Sequence, residues 1–111
     1  MNMKKLVLFI LIFNFMFASI STTEAKNHIG EDIEVCGIVD GIYHHRNGHI
    51  FLNLDGKYPN QKMSVIIWKD YVNNFKNIHF LNKIICVKGI IKEYKNKPEM
   101  FLEEKNQLRF K

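Results

Sequence analysis

Apolar and polar residues alternate along most of the chain after residue 30, which is the pattern of half-buried β-strands. In the first such segment, Ile33, Val35 and Val39 share one face. Five segments share the alternation: 33–39, 49–54, 62–68, 83–91 and a short strand that begins at Phe101. Connections rich in Gly, Pro, Asn and Asp separate them, as expected for turns. The alternation therefore predicts five short strands.

One segment between the third and fourth strands has a different period. Tyr71, Phe75 and Ile78 recur at helical spacing, and Asp70 is suited to cap the start of a helix over 70–81. The element order is then β-β-β-α-β-β. This order predicts an all-β fold with one short helix, arranged as the five-stranded Greek-key barrel called the OB-fold.

The first 25 residues differ from the rest of the chain. Two lysines precede an apolar run over 6–18, and small polar residues follow it. That is the layout of a secretory signal peptide, and the run is shorter than the roughly 20 residues that a membrane helix needs. Cleavage is expected after Ala25 or, alternatively, after Ser21; an uncleaved N-terminal anchor is the remaining alternative. We therefore predict a signal peptide over 1–25 and an exported OB-fold domain over 26–111.

The predicted mature chain is short and mildly basic. It has 86 residues, which suffices for one small domain. It contains fourteen basic and ten acidic residues, a net charge of +4. This excess is compatible with a polyanionic partner but does not require one. Export would place the domain in the periplasm or outside the cell, with no stable membrane insertion after cleavage.

The sequence contains two cysteines, Cys36 and Cys86. An even number in an exported chain predicts a disulfide, and two buried free thiols are the alternative. In an OB-fold the first and fourth strands are antiparallel neighbours. Cys36 shares its face with Glu34 and Asp40, and Cys86 shares its face with Lys88. Both cysteines thus lie on polar faces, and a bridge is reasonable if the register brings their Cα atoms within about 7 Å.

Three segments resemble a known family: VCGIVDGIY, IFLNLDGKYPNQKMSVIIW and ICVKGIIKEYKNKPEM. They are similar to small bacterial members of the OB-fold nucleic-acid-binding family of the tRNA-anticodon/helicase type. The resemblance covers residues 33 to about 102, and FLNLDGKYPNQ is its most specific part. It implies single-stranded nucleic-acid binding, which many members of the family share. Such domains also accompany thermonuclease-like proteins, but the sequence has no catalytic constellation of that kind.

Aromatic and basic residues lie on the expected ligand surface of the barrel. In OB-folds this surface is the outer face of strands two and three, with the loops that flank it. Aromatic rings stack on bases, and cations follow the phosphates. The residues expected to bind are Tyr43, Arg46, Phe51, Lys62, Trp68, Lys92, Tyr94, Lys95 and Lys97. Structural alternatives are packing beside the helix for Trp68, a second small core for Phe51, and a solvated hairpin for the lysines.

The expected partner is single-stranded DNA or RNA. An envelope glycan, a small ligand or a protein partner on the same face is the alternative. No metal or cofactor is expected, because the spacing of His44, His45 and His49 matches no established zinc pattern. A disulfide would also remove both cysteines as nucleophiles. The sequence therefore predicts a binding module rather than an enzyme.

Overall fold

The computed structural model describes residues 18–111. Within this range, the strands are β1 (Ser19–Ser21), β2 (Asp32–His44), β3 (Ile50–Leu54), β4 (Met63–Ile67), β5 (Ile84–Ile90), β6 (Lys92–Tyr94), β7 (Lys97–Phe101) and β8 (Leu108–Phe110). Short 3-10 helices span Ala25–His28, Lys69–Phe75 and Lys105–Gln107. No helix in this part of the chain is long and apolar enough to span a membrane.

The long strand β2 organises the sheet. Its second half pairs antiparallel with β3. Its first half pairs with two strands, antiparallel with β5 and parallel with β1. The register shifts between Val39 and Gly41, where β2 passes from one pairing to the other. The hydrogen-bonded order β6-β7-β4-β3-β2-β5-β8 is an open path. The mostly-β character is thus confirmed, but closure into a five-stranded barrel is not.

Several element boundaries differ from the predicted ones. β2 continues to His44 instead of ending at Val39, because Ile42 and Tyr43 of the predicted polar connection pair with Leu52 and Phe51 of β3. The basic segment that follows β5 is a hairpin of β6 and β7. The charged tail contributes β8, which pairs with β5. Short strands such as these carry too few residues for the alternation to stand out.

The helix predicted over 70–81 is wrong in type and length. The chain forms the 3-10 helix Lys69–Phe75, and the residue before its first turn is Trp68, with no side-chain cap. Asparagine side chains compete for backbone hydrogen bonds and so weaken helices. The segment contains Asn73 and Asn74, and Asn74 Nδ2 donates outside the segment, to the Glu103 carbonyl at 2.8 Å. Phe75 is nevertheless buried against the core.

The interior follows the predicted inward faces of the strands. Ten of these inward side chains are fully buried: Val35, Val39, Leu52, Leu54, Met63, Val65, Ile67, Ile85, Val87 and Ile91. Removing one such large apolar side chain from water contributes roughly 1.5–3 kcal/mol. The opposite faces of β3 and β4 are thereby turned away from the core.

The predicted disulfide is present. Cys36 of β2 stands directly opposite Cys86 of β5 in the antiparallel register. The sulfurs are 2.05 Å apart, and the Cα atoms are 4.0 Å apart. The predicted adjacency of the first and fourth strands is therefore confirmed, and their register brings the two cysteines together.

An ion pair beside the disulfide joins three strands. Arg109 of β8 donates from Nε and Nη2 to the two carboxylate oxygens of Glu34 on β2, each at 2.9 Å. The hydroxyl of Ser19 on β1 donates to the same carboxylate. These hydrogen bonds, chiefly those from Arg109, lower the pKa of Glu34 despite its partial burial. Two-point pairs of this kind are stronger than single contacts.

The segment 18–25 lies within the predicted signal peptide, whose residues 1–17 are outside the described part of the chain. Ser19–Ser21 forms β1 beside β2, and Ala25 is fully buried in the core. Cleavage after Ser21 or Ala25 would remove β1 from this edge. The position of cleavage stays a prediction.

Replacing both cysteines, Cys36→Ser and Cys86→Ser, is expected to lower the free energy of unfolding. The bridge spans 50 residues, and closing a loop of that length stabilises a fold by about 4 kcal/mol in the chain-entropy model. Urea denaturation of the oxidised protein and the double variant measures the difference. Addition of a reductant should destabilise only the protein with the bridge; an unchanged midpoint in both cases would contradict the prediction.

Glu34→Gln is expected to change how stability depends on pH. The folded pKa of Glu34 is lowered, so its ion pair stabilises the fold above the unfolded pKa and is lost as pH falls through the folded pKa. At neutral pH the variant should be less stable by about 1 kcal/mol, since Arg109 is half exposed.

The difference in stability between the wild type and Glu34→Gln should shrink as the pH falls toward about 3. Denaturation at neutral pH and at about pH 3 measures this difference, with Glu93→Gln at an exposed position as the control. Parallel pH profiles for the wild type and Glu34→Gln would contradict the assignment.

Candidate ligand-binding face

A cavity of about 740 Å³ opens on the outer face of β3, β4 and β7. Its floor comes from these strands, and its walls come from the end of β2, the loop that follows β3 and the β6–β7 hairpin. The strand pairing explains the floor, because Phe51 lies opposite Ile66 and Asn53 lies opposite Ser64. Ser64 in turn lies beside Glu99 in the parallel pairing of β4 and β7.

A short chain of side-chain hydrogen bonds crosses this floor. Gln61 Nε2 donates to Ser64 Oγ at 3.4 Å, and Ser64 Oγ donates to Asn53 Oδ1 at 3.1 Å. Asn53 and Gln61 are buried. The Oε1 atom of Gln61 is buried and has no hydrogen-bond partner within residues 18–111. The floor is therefore polar at its centre and leaves an acceptor unused.

Aromatic rings form the walls and remain accessible. Tyr43, Tyr94 and Tyr58 expose 55%, 59% and 77% of their surface. Tyr43 meets the edge of Phe51 at a centroid distance of 5.9 Å, and His45 stacks on Phe51 at 6.5 Å. Phe51 thus belongs to an aromatic cluster on the outer face and is only partly covered by its neighbours.

The β6–β7 hairpin brings lysines to the rim. Lys95 and Asn96 have positive φ angles of 49° and 66°, which make the tight turn of the hairpin. The Lys95 amine lies 5.3 Å from the centroid of the Tyr94 ring. Lys97 donates to the carbonyl oxygen of Pro59 and so connects the hairpin to the opposite wall.

One acidic group also lines the cavity. Glu99 extends from β7 and is half-buried. Burial raises the pKa of this carboxyl, and the charge of Lys92 offsets only part of that effect. A carboxylate at this place makes the cavity less favourable for a phosphate than its lysines alone would suggest.

Five of the nine predicted binding residues line the cavity: Tyr43, Phe51, Tyr94, Lys95 and Lys97. The other four do not. Trp68 packs edge-to-face between His49 and Phe101, at centroid distances of 4.9 and 5.3 Å. The Lys92 amine lies 5.3 Å from the centroid of the same Phe101 ring. Arg46 lies in the turn between β2 and β3, and Lys62 is exposed just before β4.

Sequence reasoning did not assign Tyr58, Gln61 and Glu99 to the site. The first two fall in the segment FLNLDGKYPNQ, which is the most specific part of the resemblance. The place of Glu99 beside Ser64 depends on a parallel pairing between distant strands, which the local sequence does not indicate. The only feature that marked Glu99 was its position as a polar residue within a short alternation of apolar residues.

The three histidines of the β2–β3 region do not converge on one point. The His45 and His49 rings are 5.8 Å apart, and each Nδ1 accepts a backbone N–H, from Asn47 at 3.0 Å and from Lys69 at 2.9 Å. Between residues 18 and 111, the only group spaced like metal ligands is Glu34 with the two cysteines. Those sulfurs are bonded to each other and offer no thiolates.

The turn that follows β3 sets the position of Tyr58 and Gln61. Asp40 accepts from the backbone N–H of Gly56 at 2.7 Å, and Asp55 Oδ1 accepts from that of Ile38 at 3.0 Å. Gly56 has a φ of 136°. A Cβ atom there would lie 2.5 Å from the Asn60 carbonyl oxygen. Only glycine fits this turn without a shift of the loop.

Comparison with known proteins shows an OB-like fold. No family model matches the chain, and no curated protein matches it. Similar solved structures include a protein described as an aspartyl-tRNA synthetase from Leishmania major Friedlin, with 9% identity and a TM-score of 0.59, over 84% of this chain and 20% of that one. This chain thus spans about a fifth of that protein.

Two engineered proteins are also similar. OBody AM1L10, bound to hen egg-white lysozyme, has 17% identity and a TM-score of 0.58, over 83% of this chain and 91% of that one. OBody AM2EP06, also bound to hen egg-white lysozyme, has 15% identity and a TM-score of 0.59, over 82% and 90%. Likeness at these identities shows the fold alone.

Gly56→Ala is expected to destabilise the protein and displace the loop that carries Tyr58. The strain of a disallowed φ costs roughly 1–3 kcal/mol, and the contact with Asn60 adds to it. Gly30→Ala is the matched control, since Gly30 also has a positive φ but nothing within 4 Å of its Cβ position. Thermal denaturation compares the two; equal losses of stability would mean that the contact with Asn60 does not matter.

Proposed function

We propose that this protein is an exported OB-fold module that binds single-stranded nucleic acid with little sequence preference. The observation that carries the proposal is the cavity itself, where exposed tyrosines stand beside Lys95 and Lys97. Rings of this kind stack on any base, and neighbouring cations follow the backbone. The proposed role is binding rather than catalysis.

The disulfide supports the proposed location. Bridges such as Cys36–Cys86 persist in oxidising compartments and are rare in reducing ones. A periplasmic or secreted domain fits this chemistry. The N-terminal apolar run supports the same location independently.

The proposal treats the sheet as a barrel of the OB type. β6 is at one end of the hydrogen-bonded path, while β5 is next to the other end. Only Ile91, which is fully buried, separates β5 from β6. Because the chain continues from β5 through Ile91 directly into β6, these strands from opposite ends of the path are brought close together. This supports closure of the sheet around the core.

Tyr94→Ala is expected to weaken the binding of a labelled single-stranded oligonucleotide. Loss of one stacking platform costs roughly 1–3 kcal/mol. Tyr94→Phe keeps the ring and should bind like the wild type. Fluorescence anisotropy at low salt measures the affinities, and absence of binding by the wild type would end the proposal.

Lys95→Ala tests the electrostatic part of the same proposal. Affinity should fall with rising salt, and removal of one phosphate contact from a single strand should reduce the slope of log K against log salt by about 0.7. Lys105→Ala removes the same charge from an exposed position away from the cavity and should change the slope much less. Equal slopes for both variants would show that Lys95 makes no specific contact.

A protein partner on the same face is the second candidate. The observation that favours it is the exposure of Tyr43, Tyr58 and Tyr94 around the cavity. Exposed tyrosines also suit protein contacts, because they offer a large area at low entropic cost. A stoichiometric partner recovered from the envelope, insensitive to nuclease and released by Tyr94→Ala, would favour this function over the first.

A further inference from the structure

The cavity contains a carboxylate that has no ion-pair partner among the described residues. Glu99 forms none of the salt bridges found within residues 18–111. It is partly buried, and partial burial of a carboxylate costs free energy because it removes water that hydrates the charge. A ligand that brings N–H donors to this place would recover that free energy.

The arrangement of charges indicates which part of a nucleotide enters. Lys95 lies at the exposed turn of the hairpin, whereas Glu99 lies deeper, beside Ser64. Phosphates are attracted to the rim and repelled by the carboxylate. The base therefore points inward between the rings, and the backbone remains outside.

The nucleobases differ in the donors on their Watson–Crick edges. Guanine presents two adjacent donors, N1–H and N2–H₂, which match the two oxygens of a carboxylate. Adenine and cytosine present one amino group beside an acceptor, and thymine and uracil present one N–H between two carbonyls. Single-stranded recognition uses these edges, since the bases are unpaired.

We propose that the cavity selects a guanine base, with the Glu99 carboxylate accepting from N1–H and N2–H₂. The inference rests on the proposed function, since it assumes that a single strand lies across this face. Tyr43, Tyr58 and Tyr94 hold the faces of the base or its neighbours. The desolvation that raises the pKa of Glu99 also strengthens any hydrogen bond it accepts.

The test uses short thymine strands with one central base changed to guanine, inosine or adenine. Inosine keeps N1–H but lacks the N2 amino group, so it removes one donor without changing the shape of the ring. The full chain should bind the guanine strand about tenfold more tightly than the thymine strand, and inosine should lose most of that gain. Because this comparison needs no variant, it holds even if a substitution impairs folding.

Glu99→Ala should abolish the preference, so that the guanine and thymine strands bind with equal affinity. Glu93→Ala removes the same charge from an exposed position on the neighbouring strand, outside the cavity, and should keep the preference. Equal affinity of the wild type for guanine and inosine, or a preference that survives Glu99→Ala, would overturn the inference. If no strand binds at low salt, the proposed function itself fails and the inference fails with it; binding without preference removes the inference alone.

Discussion

The pairing of β2 with β5, fixed by the Cys36–Cys86 bridge, is the constraint on which the rest of the structure depends. Side chains alternate with a period of two, so a slip of one residue would exchange the inner and outer faces of both strands. With the cysteines opposite each other, Val35 and Val87 pair inward. β2 also pairs with β3, beyond the register shift between Val39 and Gly41, and this second pairing determines which face of β3 is turned outward.

The position of the cavity loop follows from a close junction on β2. Gly37 has no side chain, and a Cβ atom there would lie 2.7 Å from Thr22 and 2.9 Å from Asp55. Asp55 accepts hydrogen bonds from Thr22 and from the backbone of Ile38. The loop that carries Tyr58 thus begins from a point held by β2. The cavity wall that contains Tyr58 is therefore fixed in position relative to β2.

The strands with strong alternation were predictable from sequence, and so were their inner faces and the cysteine pair. In these segments one face is buried, and burial selects apolar residues at every second position. The short strands and the 3-10 helix gave weaker signals. Gln61 and Glu99 were not predictable as site residues. The loop after β3 brings Gln61 to the cavity, and the parallel pairing of β4 with β7 brings Glu99 there. Local periodicity contains no information about such pairings.

The two kinds of chemistry in the cavity have different consequences for recognition. Stacking on rings such as Tyr94 tolerates every base, so it contributes affinity without selection. A surface that needed only stacking would gain nothing from Glu99, since partial desolvation of a carboxylate is unfavourable. The charge of Lys92 offsets part of that cost, and a ligand that donates hydrogen bonds to the acid would offset more of it. In the proposed complex, Glu99 would therefore contribute discrimination, while the rings and the rim lysines would contribute general affinity.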